Sequence, residues 1–148
     1  MQREERISRL AQLKAKALGL AAIVGAPPKL LPRFGESNDM GARYVDYDGL
    51  YRLITQERGA EQDHRLTVDE DELMYWIFSG VTFEMASQYE LAHRTPNQDS
   101  RRLLFKHQLH LLAKLSEKWK EKRSHDQEEI LKRYPFKDVD PFADRRAE

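Results

Sequence analysis

The chain has no cysteine among its 148 residues. Disulfides and thiolate metal sites are therefore excluded, and a reducing compartment is its natural home. It also has no net charge, since 25 basic residues balance 25 acidic ones. A nucleic-acid-binding domain usually shows a domain-wide basic excess, so direct nucleic-acid binding is not expected. No apolar run approaches the roughly 20 residues that span a bilayer, and no membrane role is expected. The nearest run, Ala17–Ala26, ends in Val24-Gly25-Ala26 like a signal-peptide cleavage site. A signal n-region is short and basic, however, whereas Glu4 and Glu5 stand in the long segment before this run. The run reads as the end of a core-facing helix, and the expected location is cytoplasmic. Also missing are a Gly-x-Ser-x-Gly elbow, a P-loop, internal repeats and low-complexity tracts.

What is present suits one domain of ordinary size, able to bury roughly 68–70% of its unfolded surface without a staple. The zero net charge hides a pattern. Residues 1–34 carry seven basic and two acidic side chains, residues 35–99 five and fourteen, and residues 100–148 thirteen and nine. An acidic middle of net −9 lies between ends of +5 and +4. It can steer a basic partner, or it can simply fold against the two ends.

Ile7, Leu10, Leu13, Ala17 and Leu18 recur at helical spacing and predict a helix over Gln2–Leu20, stopped by Pro27-Pro28. Leu30–Phe34 is a short extended piece that Pro32 confines to an edge, and Gly35–Gly41 reads as a loop. Strands follow at Arg43–Asp48 and Leu50–Arg58, joined at Asp48-Gly49 by a type I′ hairpin turn. Gly59–Asp63 reads as a second turn and His64–Val68 as a third antiparallel strand. Thr67-Val68-Asp69-Glu70 fits a capping box for a helix running to about His93. Its apolar arc is wide, which makes it central, and Gly80 is a place for it to bend. Asp71, Glu72, Tyr75, Ser79, Glu90 and His93 are left to face solvent. A helix over Gln98–Leu115 is capped by Asn97 or Thr95, and Ser116 caps a last one, Glu117–Arg133, anchored by Trp119, Ile130 and Leu131. The expected fold is α+β: an N-terminal helix, a small antiparallel sheet of about three strands, then a C-terminal bundle of about three helices. Residues 1–136 form the single domain, and residues 137–148 a loosely ordered tail.

Chemistry-bearing residues are few. Glu90 and His93 form half of a di-iron motif, but no second Glu-x-x-His exists. Together with His107 and His110 they give a metal-dependent enzyme as an alternative reading. Glu84 falls on the apolar arc and calls for a partner among Arg94, Arg101 and Arg102. A structural ion pair explains it better than a catalytic acid, which would need a second carboxylate across a cleft. Neither catalytic residues nor a cofactor or metal site are expected. The tyrosines are more suggestive. Tyr44, Tyr47, Tyr51, Tyr75 and Tyr89 fall on the hairpin and the central helix near Asp46, Asp48, Asp71, Glu72 and Glu90, an aromatic and acidic mixture suited to a protein interface. Of these, Tyr44, Tyr47 and Tyr75 with the five acids are the candidate contact residues.

Several pieces occur in one order between Ile23 and Leu131. They are Gly25-Ala26-Pro27, Leu30-Leu31-Pro32 and Phe34-Gly35; Glu57-Arg58-Gly59; Asp71-Glu72-Leu73 with Tyr75-Trp76; Val81-Thr82-Phe83 and Met85-Ala86; Tyr89-Glu90-Leu91 with His93-Arg94; and Gln98-Asp99, Arg101–Phe105, Gln108-Leu109 and Trp119. In this order the segment resembles a family of bacterial immunity proteins, immunity protein 63. The resemblance implies a non-enzymatic antitoxin of a polymorphic toxin system, whose partner is a cognate toxin domain, expected here to be basic. It does not supply interface residues. A general adaptor module with some other partner is a further alternative.

Overall fold

The computed structural model describes residues 2–35, 40–57 and 60–142. The chain forms two compact units, residues 1–81 and 82–148. Helix α1 (Arg3–Val24) buries Leu10, Leu13, Ala17, Ala21 and Val24, a three- and four-residue spacing that keeps them on one face. It runs four residues past the expected end, because Gly19 is tolerated and the left-handed Gly25 (φ 74°) supplies the stop. Ile7 and Leu18, expected on the buried seam, are exposed.

After a 3₁₀ turn at Pro28–Leu30, four strands make a mixed sheet in the order β1-β2-β3-β4. They are β1 (Arg33–Phe34), β2 (Met40–Tyr47), β3 (Tyr51–Glu57) and β4 (Ala60–Thr67). The expected three antiparallel strands are there, and the extended piece after Pro32 adds a parallel edge strand. The hairpin differs from the expected type I′ turn. Tyr47 pairs with Tyr51, leaving a loop of three residues, Asp48, Gly49 and Leu50. Only Gly49 takes a positive φ (98°), whereas type I′ needs two such residues. Asp48 closes the loop by accepting the Leu50 amide at 3.2 Å. The second turn is shorter than expected, since Ala60 already pairs with Glu57. Residues 36–39 of the expected loop and 58–59 of that turn lie outside the described residues.

Helix α2 (Glu70–Ala92) starts later than the capping box suggested. Asp69 accepts the Asp71 amide at 2.9 Å, and Thr67 accepts that of Asp69 at 3.0 Å. Aspartate is the better cap and sits nearer the positive helix end. The first half of α2 contributes Leu73, Met74, Tyr75, Ile77 and Phe78 to the core of the first unit.

The second unit contains the rest of α2, α3 (Ser100–Leu115) and α4 (Glu117–Arg133). Ser116 caps α4 as expected, accepting the Trp119 amide at 3.2 Å. Asp99 caps α3 in place of Asn97 or Thr95. Trp119 is buried as expected, but among the described residues Thr82, Glu90, Gln108 and Gln127 are buried beside the apolar side chains. Gln108 donates to Thr82 Oγ1 at 3.3 Å and accepts from Gln127 and Arg123, each at 3.3 Å. Gln127 also donates to the Phe105 carbonyl. Among the described residues no helix is long and apolar enough to cross a membrane.

Candidate interaction surface

The register of the sheet brings the loop that holds Asp48 and the entry to α2 to one end of the first unit. Tyr51 lies opposite Thr67, so the hairpin loop at Asp48–Leu50 and the entry to α2 at Val68–Asp71 leave the sheet from the same end. Asp48 is exposed, while Asp71, Glu72, Tyr44 and Asp46 are partly exposed.

Basic residues of α1 meet part of this acidity, so the N-terminal end does fold against the middle. Arg6 Nε donates to Asp46 Oδ1 at 2.7 Å, and Lys16 to Glu70 at 3.3 Å. Arg52 donates to Asp48 Oδ2 at 3.1 Å and, with the Leu50 amide, holds the Asp48 carboxyl below the usual carboxylate range. Pairs as exposed as these contribute little to stability, and all weaken with salt.

Tyr47 is buried, with its ring centre 5.0 Å from that of Tyr51 and the Arg9 guanidinium 5.2 Å away. Arg9 also donates to the Tyr51 hydroxyl at 3.0 Å. Tyr75, expected to meet solvent, is buried at 5% exposure. Glu90, also expected at the surface, is 4% exposed and lies in the second unit. Arg94 donates to both of its oxygens, at 2.7 and 3.0 Å. These bonds keep the Glu90 carboxyl below the usual range although burial acts the other way.

Glu84, the acid expected in the core, is exposed and accepts from Gln88 at 3.2 Å. Its expected arginine partners are engaged elsewhere: Arg94 with Glu90, Arg101 with Asp99 and Arg102 with Asp138. The error has a geometric cause. Leu73, Ile77, Glu84 and Leu91 form a straight line along the helix, but Leu73 and Ile77 alone of these are buried, and burial continues instead through Phe78, Thr82, Ala86 and Glu90. Steps of four residues advance about 40° each, so the buried stripe winds away from Glu84 and Leu91.

The residues of the metal alternative meet in another way. Tyr89 stacks on His93 at 4.1 Å and on His107 at 3.7 Å. Two rings that close cannot share one face of the tyrosine, so the imidazoles lie on opposite faces. Among the described residues no group of three or more His, Asp or Glu is placed to hold a metal ion.

A network that the sequence reading missed binds the chain beyond α4. Asp99 accepts the Arg101 amide at 2.9 Å and the Lys137 amide at 2.8 Å, and pairs with the Arg101 guanidinium at 2.8 Å. The Asp99 carboxyl is thereby held far below the usual range, chiefly by the guanidinium. Arg102 pairs with Asp138 at 2.9 Å and lies 4.2 Å from the centre of the Phe136 ring. The Val139 amide donates to the Asn97 carbonyl at 2.8 Å. Lys137, Asp138 and Val139 are thus bonded to the start of α3 and the segment before it.

In comparisons with known proteins, residues 47–129 match the family model described as Immunity protein 63. The match covers more than half of the chain and excludes the Gly25–Gly35 pieces of the resemblance. No curated protein and no solved structure matches.

Proposed function

Because this chain belongs to the immunity protein 63 family, we propose that it binds a cognate bacterial toxin domain and holds it inactive, protecting the cell that makes both. Family membership is the observation that carries this reading. The protein acts in the cytoplasm as a stoichiometric inhibitor, without a cofactor and without a reaction of its own.

We assign the contact surface to the acidic end of the first unit: Asp48, Asp71 and Glu72, flanked by Tyr44 and Asp46. What supports the assignment is that the hairpin loop and the start of α2 leave the sheet together. An acidic rim speeds encounter with a basic toxin and covers a site built for nucleic acid. Tyr47, Tyr75 and Glu90 are too buried to supply much of the contact.

The test is binding of the purified chain to the toxin domain encoded next to its own gene. The complex should inhibit the toxin in a one-to-one ratio. Affinity should fall with added salt and by about tenfold in Asp71→Lys or Glu72→Lys. Absence of any complex overturns the neutralisation reading. Unchanged affinity in both variants overturns the acidic surface alone.

A further inference from the structure

Arg43 stands on β2 with its side chain mostly withdrawn from water. Its Nη1 reaches the Trp76 carbonyl oxygen at 3.5 Å, the outer limit of a hydrogen bond. The guanidinium occupies space that α2 leaves open. A Cβ built on Gly80 would lie 2.5 Å from Nη1 and 2.6 Å from Nη2. Among the described residues no carboxylate pairs with it. Burial, and after it the like charge of Arg65, pull this guanidinium below its ordinary pKa.

Arg65 belongs to the same face of the sheet. Arg43 pairs with Thr55, which pairs with Asp63, and the next line on that face joins Val45, Leu53 and Arg65. The Arg65 guanidinium lies 6.0 Å from the centre of the Trp76 ring, and Asp63 pairs with it at 3.3 Å on the exposed rim. A buried charge without a counter-ion is unfavourable. A glycine inside a helix is unfavourable as well, and here it makes room for that charge. Arginine beside tryptophan is the composition of an interface hot spot, and a guanidinium fork matches a carboxylate.

We propose that Arg43, Arg65 and Trp76 form the receptor for a carboxylate side chain of the protein partner. The proposal rests on the partner-binding reading above. Arg43 donates its fork to the incoming carboxylate, Arg65 supplies the second cation, and Trp76 is the wall against which the acidic side chain packs. The charge count selects the ligand. Among the described residues, two guanidinium groups and Asp63 leave one positive charge, which a carboxylate neutralises and a phosphate dianion overshoots.

The experiment titrates acetate and inorganic phosphate into the whole chain. The arginine Nε–H and Trp76 indole N–H signals are followed by NMR, with thermal unfolding in parallel. Acetate should move the Arg43 and Trp76 signals saturably and more readily than phosphate does. Arg43→Met should abolish the response while unfolding at the same temperature as the natural chain or higher, because it removes a charge that no described carboxylate pairs with. The exposed Arg65→Met, which leaves the core alone, should weaken the toxin complex about thirtyfold. The receptor is overturned by the absence of a saturable acetate response, by a response that survives Arg43→Met, or by a clear loss of thermal stability in that variant. Preference for phosphate overturns the carboxylate assignment. If the toxin binds the natural chain and Arg65→Met equally, the receptor fails and the neutralisation reading stands. If the toxin binds neither, the neutralisation reading fails and the acetate titration still judges the site.

Discussion

The ring of Tyr89 lies 3.7 Å from that of His107, with the two planes 2° apart, while His93 stacks on the opposite face. The sandwich withdraws His107 partly from water and surrounds it with His93, His110 and Lys114. Desolvation first, and then these positive neighbours, push its pKa below the ordinary histidine value.

A pH dependence follows. The unfolded chain protonates His107 near its usual pKa of about 6.5, and the folded chain only at lower pH. Between those two values the unfolded state binds more protons, so this contribution to stability grows as pH rises and is complete above about 6.5. Urea midpoints between about pH 5 and pH 7.5 should rise with pH, and His107→Phe, which keeps a stacked ring, should flatten the rise. An identical slope in both proteins would count against the assignment.

Asp99 caps α3 and receives the Lys137 amide with the same carboxylate. Asp99→Ala should destabilise the second unit by about 1 kcal/mol from the lost cap, with a further loss as the chain around Phe136 is released. Limited proteolysis should then cut between Tyr134 and Val139, where the natural chain resists. The folded pKa of Asp99 is depressed, so the stability it contributes is present above about pH 4 and is lost as pH falls below that. Asp99→Asn should keep the cap and lose the acid dependence.

Gln127 is buried and serves two acceptors, the Phe105 carbonyl and Gln108 Oε1. Gln127→Ala removes the donor and opens a small void, for an expected loss of about 1–3 kcal/mol in chemical denaturation. Thr82→Val together with Gln127→Ala should depart from the sum of the single variants, because both touch Gln108. Strict additivity would mean that the polar contacts act independently.

Gly80→Ala separates two effects. Alanine favours the helix by about 1 kcal/mol, but its Cβ needs the place that the Arg43 guanidinium holds. The guanidinium is the far end of a flexible chain and can swing into water. The variant should therefore be at least as stable as the natural chain and should lose the acetate response. A marked loss of stability would mean that Arg43 is fixed in its seat.

Much of the architecture was readable from local signals. Ser116 marked a helix end because a hydroxyl cap acts within a few residues. The Asp48-Gly49 pair marked the hairpin, although the number of loop residues followed from the Tyr47–Tyr51 pairing across it. The exposure of the candidate contact residues was only partly readable. Asp48, Asp71 and Glu72 meet solvent, whereas Tyr75 and Glu90 do not.

The sequence by itself determined which segments are helix or strand, since capping, period and turn chemistry are properties of neighbours along the chain. Tertiary structure decided which side chains those elements hide. The buried stripe on α2 winds around the helix, so Glu90 went inside, held by the exposed Arg94, and Glu84 stayed out. Arg33–Phe34 became a strand only because β2 offered it an edge. Gly80, readable as a bend, proved to be a seat for Arg43, whose occupant comes from a strand 37 positions earlier in the sequence. Burial and pairing depend on such distant neighbours, and no local pattern records them.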